Sequence, residues 1–137
     1  MRKQTILYWI FTSIVILLMG VGSIPNIISS PQSVELMEHL GYQPYLLPFL
    51  GVAKLLGVLA ILIPGYPRIK EWAYAGFVFD LTGAMYSTIA VGDINGGLIV
   101  FIVGYIAVAG SYIYYHKRLK ASSTQFEANV GLNLAAK

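Results

Sequence analysis

Lys54 and Asp80 are ionisable side chains set inside stretches otherwise apolar enough to lie in lipid. An unpaired charge at that depth costs about 3 kcal/mol or more, so each needs a partner. Residues 71–87 read EWAYAGFVFDLTGAMYS, and at helical spacing Ala73, Gly76, Asp80, Gly83 and Ser87 fall on one stripe. Phe77, Phe79, Leu81 and Met85 lie mostly off it. Lys54 has a small face of its own, with Gly51 three residues before it and Gly57 three after. Such faces let helices approach closely and give a buried polar group a dry but bonded place. Counted at 1.5 Å per residue, Lys54 lies about 16 Å from Gly65 and Asp80 about 14 Å from Glu71. Matched depths on adjacent helices predict that the two meet, directly or through water. The pair fits two roles: it fixes helix register, or it serves as a polar handle for a small ligand or a proton relay. A buried lysine amine can also form a Schiff base, although nothing in the sequence calls for one.

Other polar residues have weaker claims. Ser87 and Tyr86 near the outer end of the same stretch, and Tyr105 in the last apolar run, are candidate cavity-lining residues. A membrane tyrosine more often packs with its hydroxyl bonded to a carbonyl. Glu35, Glu38 and His39 form E-x-x-E-H, which puts three metal-ligating types on one helical face. The order does not match H-x-x-E-H, so a solvated surface turn is the preferred reading and no metal site is expected. His116 is read as an interfacial residue on the opposite side from His39, so the two cannot share one haem. Glu71, beside Arg68 and Lys70, reads as a helix-start residue with local charge partners.

The elements that position these residues follow from composition. Of 137 residues, 57% are hydrophobic and 11% charged, against about 25% charged in soluble chains. That composition indicates one integral membrane domain. The absence of cysteine excludes disulfides, thiolate nucleophiles and cysteine-ligated clusters from this chain. Nine Lys and Arg against six Asp and Glu give +3, but no basic stripe with stacking aromatics appears, so nucleic acid is not an expected partner. Apolar runs predict spans at about 5–28, 45–64, 69–91 and 98–115, each near the length a bilayer requires. The first run, which follows Arg2 and Lys3, also resembles a secretory signal, but it is too long for a signal core and no A-x-A site follows. Pro25 and Asn26 predict a kink or early end.

Residues 29–44 form a polar connection in which Ser33, Val34, Leu36, Met37 and Leu40 predict a short amphipathic helix stopped at Gly41. Pro48 is tolerated in a first helical turn. The short turns at 64–71 and 92–97 make successive spans antiparallel neighbours. Gly51, Gly57, Gly76, Gly83 and Gly104 are the expected close-packing positions. Residues 121–137 read as a poorly ordered tail. With alternating spans, Arg2, Lys3, Arg68, Lys70, Lys117, Arg118, Lys120 and Lys137 share one side, and the other has no Lys or Arg. The positive-inside rule then places both termini in the cytoplasm.

Three segments carry a family resemblance: GVAKLLGVLAILIP from Gly51 to Pro64, RIKEWAYAGFVFDLTGA from Arg68 to Ala84, and the GD turn at Gly92 and Asp93. Together with the preceding GYQPYLLPFLG, they resemble the DoxX-like family of small four-span bacterial membrane proteins. The resemblance implies that Lys54, Glu71 and Asp80 are characteristic charged positions. Members often carry Gly and Lys near the end of the first span, where this chain reads VGSIPN, and a His after the Ser of the third span, where it has Thr88. The resemblance also implies association with quinone-linked oxidoreductase complexes.

The expected architecture is therefore all-α: a left-handed antiparallel four-helix transmembrane bundle in a bacterial inner membrane. Its expected role is to bind a small hydrophobic molecule or quinone around Lys54 and Asp80, as an accessory subunit of a redox or detoxification system. A small transporter or proton-coupled carrier, needing a homo-oligomer for alternating access, is the competing reading. A structural membrane partner without ligand is the third.

Overall fold

In a computed structural model that describes residues 2–136, the chain folds as helices joined by short turns, with no strand among the described residues. Helix α1 (Arg2–Ile27) is α-helical over Arg2–Val15, π-helical over Ile16–Val21, and α-helical again over Gly22–Ile27. Pro25 lies inside the last segment, so the irregularity expected there falls upstream, beside Gly20 and Gly22. Proline and π-helical turns both interrupt the regular ladder of i to i−4 bonds. The Ser23 hydroxyl donates to the Gly20 carbonyl at 2.6 Å, satisfying one acceptor in this loosened region.

Helix α2 (Pro31–His39) is the short helix expected in the polar connection. Ser30 caps it by accepting from the Ser33 N–H at 3.3 Å, and Pro31 supplies a pre-set φ for the first turn. Helices α3 (Leu46–Leu62), α4 (Pro67–Ala90) and α5 (Gly97–Ala135) follow. Gly65 and Gly92, at φ 91 and 79, make the reversals between them in a conformation that disfavours a side chain. Beyond the span expected at 98–115, α5 continues uninterrupted, so residues 121–135 of the tail are helical and mostly exposed. That segment has no proline to stop the helix, and Ala121, Gln125, Glu127, Ala128, Leu132, Leu134 and Ala135 favour it. Lys137 lies outside the described residues.

Contacts run from α1 to α3, α3 to α4, α4 to α5, and α5 back to α1. In each pair, residue numbers rise on one helix as they fall on the other. Tyr8 lies 6.3 Å from Tyr115 between ring centroids, Phe11 stacks on Tyr114 at 5.8 Å, and the Thr12 and Ser111 hydroxyls are 2.7 Å apart. Small residues make these approaches. A Cβ at Gly51 would stand 2.7 Å from a side-chain carbon of Ile27 and 2.9 Å from the Ser23 carbonyl oxygen. One at Gly57 would meet the Phe77 ring at 2.8 Å, one at Gly104 would meet Leu81 at 2.9 Å, and one at Gly110 would meet Phe11 at 2.6 Å. Gly76 and Gly83, also expected at helix contacts, differ: a Cβ at either would have nothing within 4 Å and would face open space. At both positions α4 borders a cavity beside α3, so the small stripe makes room there rather than close contact.

The interior holds Tyr8, Val15, Met19, Val58, Ile61, Tyr74, Phe77, Leu81, Ala107, Val108 and Tyr115. Leu17, Phe49, Leu56, Ile99, Ile102 and Ile106 point outward and are exposed, leaving a broad apolar exterior of the kind that lipid covers. Lys70 is only 7% exposed, and its Nζ donates to the Ile61 carbonyl at 2.9 Å while lying 5.0 Å from the Tyr115 ring centroid. This ammonium satisfies a carbonyl in the last turn of α3, where the helix has no donors of its own. Lys70→Met is expected to destabilise the protein by about 1–3 kcal/mol, because it leaves that carbonyl without its donor. Reversible unfolding in mixed micelles measures the loss, and wild-type stability in the variant would remove this role from Lys70.

Candidate functional site

Lys54 projects from the middle of α3 and Asp80 from the middle of α4, with Lys54 Nζ 3.3 Å from Asp80 Oδ2. The side chains are 22% and 21% exposed, largely withdrawn from the surface but not sealed. Local packing explains the meeting. Gly57, one turn from Lys54 toward the end of α3, leaves space for the Phe77 ring, which lies one turn before Asp80. On the other side of α3, Gly51 holds the helix tightly against α1. The lysine is thus carried toward α4 by two glycines that let its helix close on both neighbours.

Cavities lie on either side of the ion pair. One, of about 420 Å³, is walled by Ala53, Gly57, Trp72, Ala73, Gly76 and Phe77. The other, of about 340 Å³, extends toward α2 and is bordered by Asn26, Met37, Tyr42, Leu46, Gly83 and Ser87. Leu50, Lys54, Phe79 and Asp80 border both. The pair therefore forms a polar partition between two largely apolar spaces. The ammonium offers donors and the carboxylate accepts, so a neutral ligand with an acceptor and a donor matches both without bringing in net charge.

The second cavity is covered by α2 and the loop after it. Ser87 Oγ donates to the Gly83 carbonyl at 2.8 Å, and the Tyr42 hydroxyl meets Ser87 Oγ at 2.7 Å. Nearby, His39 Nε2 lies 3.6 Å from Asp93 Oδ2, tying α2 to the turn between α4 and α5. Glu35, Glu38 and His39 border a shallow surface depression with Gln32 and Leu36.

Other predicted residues fall elsewhere. Tyr86 is 72% exposed and points away from the pair. Tyr105 lies against the other side of α4, with its hydroxyl 2.7 Å from Thr82 Oγ1. The difference arises because Ser87 and Tyr86 are consecutive on a helix and so face about 100° apart. Glu71 does not pair with Arg68 or Lys70; its Oε1 is 2.7 Å from His116 Nε2 on α5. Lys70 is occupied by Ile61, which leaves Glu71 to the histidine.

Some polar contacts were not anticipated from residue spacing. Ser111 bonds both Thr12 and Tyr74 at 2.7 Å, joining α1, α4 and α5 through buried hydroxyls. Tyr74 and Ser111 stand equally far inside Arg68 and Lys117, so the depth matching that linked Lys54 to Asp80 could have found them. Tyr42 gave no such signal, because its position depends on how the irregular loop folds back.

A family model described as the DoxX-like family matches residues 10–110. The matched stretch includes Lys54, Glu71, Asp80 and Ser87. No curated protein and no solved structure matches the chain.

Proposed function

This chain belongs to the DoxX-like family and is a membrane protein of that family, and from that premise we propose that it is an antiparallel four-helix transmembrane bundle that binds a small hydrophobic molecule, a quinone in the first instance, at Lys54 and Asp80. The observation that carries the reading is the placement of the pair between two apolar cavities that share its walls. A quinone carbonyl accepts from an ammonium, and a quinol hydroxyl donates to a carboxylate, so the pair suits either form of the ligand. In this role the protein is an accessory subunit that holds the ligand for a redox or detoxification partner.

The opposed order of the helix contacts and the apolar exterior support the bundle. Charge placement supports its orientation in a bacterial inner membrane. Lys70 and Arg118 gather around Tyr115 and Tyr8 at one end, while His39 and Asp93 mark the other. The first end is cytoplasmic by the positive-inside rule and carries both termini.

Thermal unfolding of the full chain in nanodiscs, with and without a decyl-substituted benzoquinone, tests the proposal. A ligand at about 100 times its Kd is expected to add about 2.7 kcal/mol. Asp80→Asn keeps the side chain's shape and is expected to abolish that gain. Equal stabilisation of wild type and variant, or none of either, would overturn the site. Movement of the ligand across liposomes by wild type would instead mark a carrier.

A further inference from the structure

We propose that the crevice between α4 and α5 is a second binding site, for a long-chain ammonium ion whose charge is held by Glu71 and whose chain lies along the groove toward Tyr105. The crevice encloses about 440 Å³ and shares no lining residue with the cavities at Lys54 and Asp80. Glu71 stands at its mouth, Ala75 and Ala109 leave the groove open, and Tyr74, Tyr105 and Tyr112 line it. The Tyr74 and Tyr112 rings meet edge to face at 5.5 Å and 79°, forming an aromatic corner beside the carboxylate. A carboxylate beside aromatic rings at the mouth of a largely apolar, partly exposed groove is the combination that recognises an ammonium group. From Glu71 to Thr82, which bonds Tyr105, the helix rises about 16 Å, giving the groove the length of an alkyl chain.

Three basic residues of this rim turn elsewhere. Lys70 binds the Ile61 carbonyl, Arg118 lies 4.6 Å from the Tyr8 ring centroid, and Lys117 lies 5.1 Å from that of Tyr114. The imidazole of His116 is the cation-capable group on Glu71, at 2.7 Å, and it is 43% exposed. It therefore competes with the ligand for the carboxylate and has solvent into which to withdraw.

Isothermal titration of the full chain in neutral-lipid nanodiscs with dodecylammonium, and with dodecanol as the uncharged probe, tests the site. Dodecylammonium is expected to bind about tenfold more tightly than dodecanol, the effect of one charge and aromatic contact at a partly exposed position. Glu71→Gln is expected to erase the preference, and His116→Ala to strengthen binding by removing the competitor. Ala109→Phe fills the groove without altering charge and is expected to block both probes. Asp80→Asn is expected to leave ammonium binding intact, which separates this site from the one at the ion pair. Equal binding of the two probes by wild type, or an ammonium preference that survives Glu71→Gln or Ala109→Phe, would overturn the proposal.

Discussion

Replacing Lys54 with Met, or Asp80 with Leu, is expected to cost about 3 kcal/mol of stability in either case, while replacing both together restores most of it. Each single change leaves one charge facing the apolar walls of the cavities without the partner 3.3 Å away. The surviving ion must then draw in water or give up its charge, and both are unfavourable at this depth. The double variant has no charge to accommodate and puts two apolar side chains of similar reach into the same space. Reversible unfolding of all four proteins in mixed micelles gives the coupling energy directly. If the double change costs as much as the sum of the two single ones, the side chains act independently. The double variant also separates the two roles of the pair. A protein that recovers its stability but no longer responds to ligand retains its fold and has lost its site.

Gly51→Leu is expected to destabilise the protein by about 3 kcal/mol or more, at the upper end of overpacking effects. A Cβ there would lie 2.8 Å from the Ile27 backbone nitrogen and 2.9 Å from the Ser23 carbonyl oxygen. Backbone atoms cannot rotate aside as a flexible side chain can, so α3 must move away from α1. Gly76→Leu is the informative control, because open space surrounds that position. It should leave stability nearly unchanged while narrowing the cavity at Lys54 and Asp80. Similar losses from both substitutions, in the same unfolding measurement, would remove the distinction between a contact glycine and a cavity glycine.

This contrast shows where sequence patterning stops. A stripe of small residues at helical spacing identifies a face but not what opposes it. Gly57 and Gly104 meet large side chains from a neighbouring helix, Phe77 and Leu81, whereas Gly76 and Gly83 meet space. The outcome depends on the rotation and tilt of two helices together, and no single segment encodes that. Tyr86 and Ser87 illustrate the same limit at finer scale, since adjacent residues divide between the lipid-facing exterior and the cavity.

Taken alone, the amino-acid order determined that this chain is helical, which apolar stretches form the long helices, and that Lys54 and Asp80 lie at matching depths. These features are local: a run of apolar residues, a proline in a first turn, a glycine at a reversal, and a count of residues from each charge to its helix end. Tertiary structure decided that the ion pair separates two cavities, that Glu71 takes His116 rather than its basic neighbours, and that Lys70 turns inward to cap α3. Each of those outcomes depends on which long side chain reaches a given atom first once the helices have packed, and so on distances that spacing within one helix does not contain.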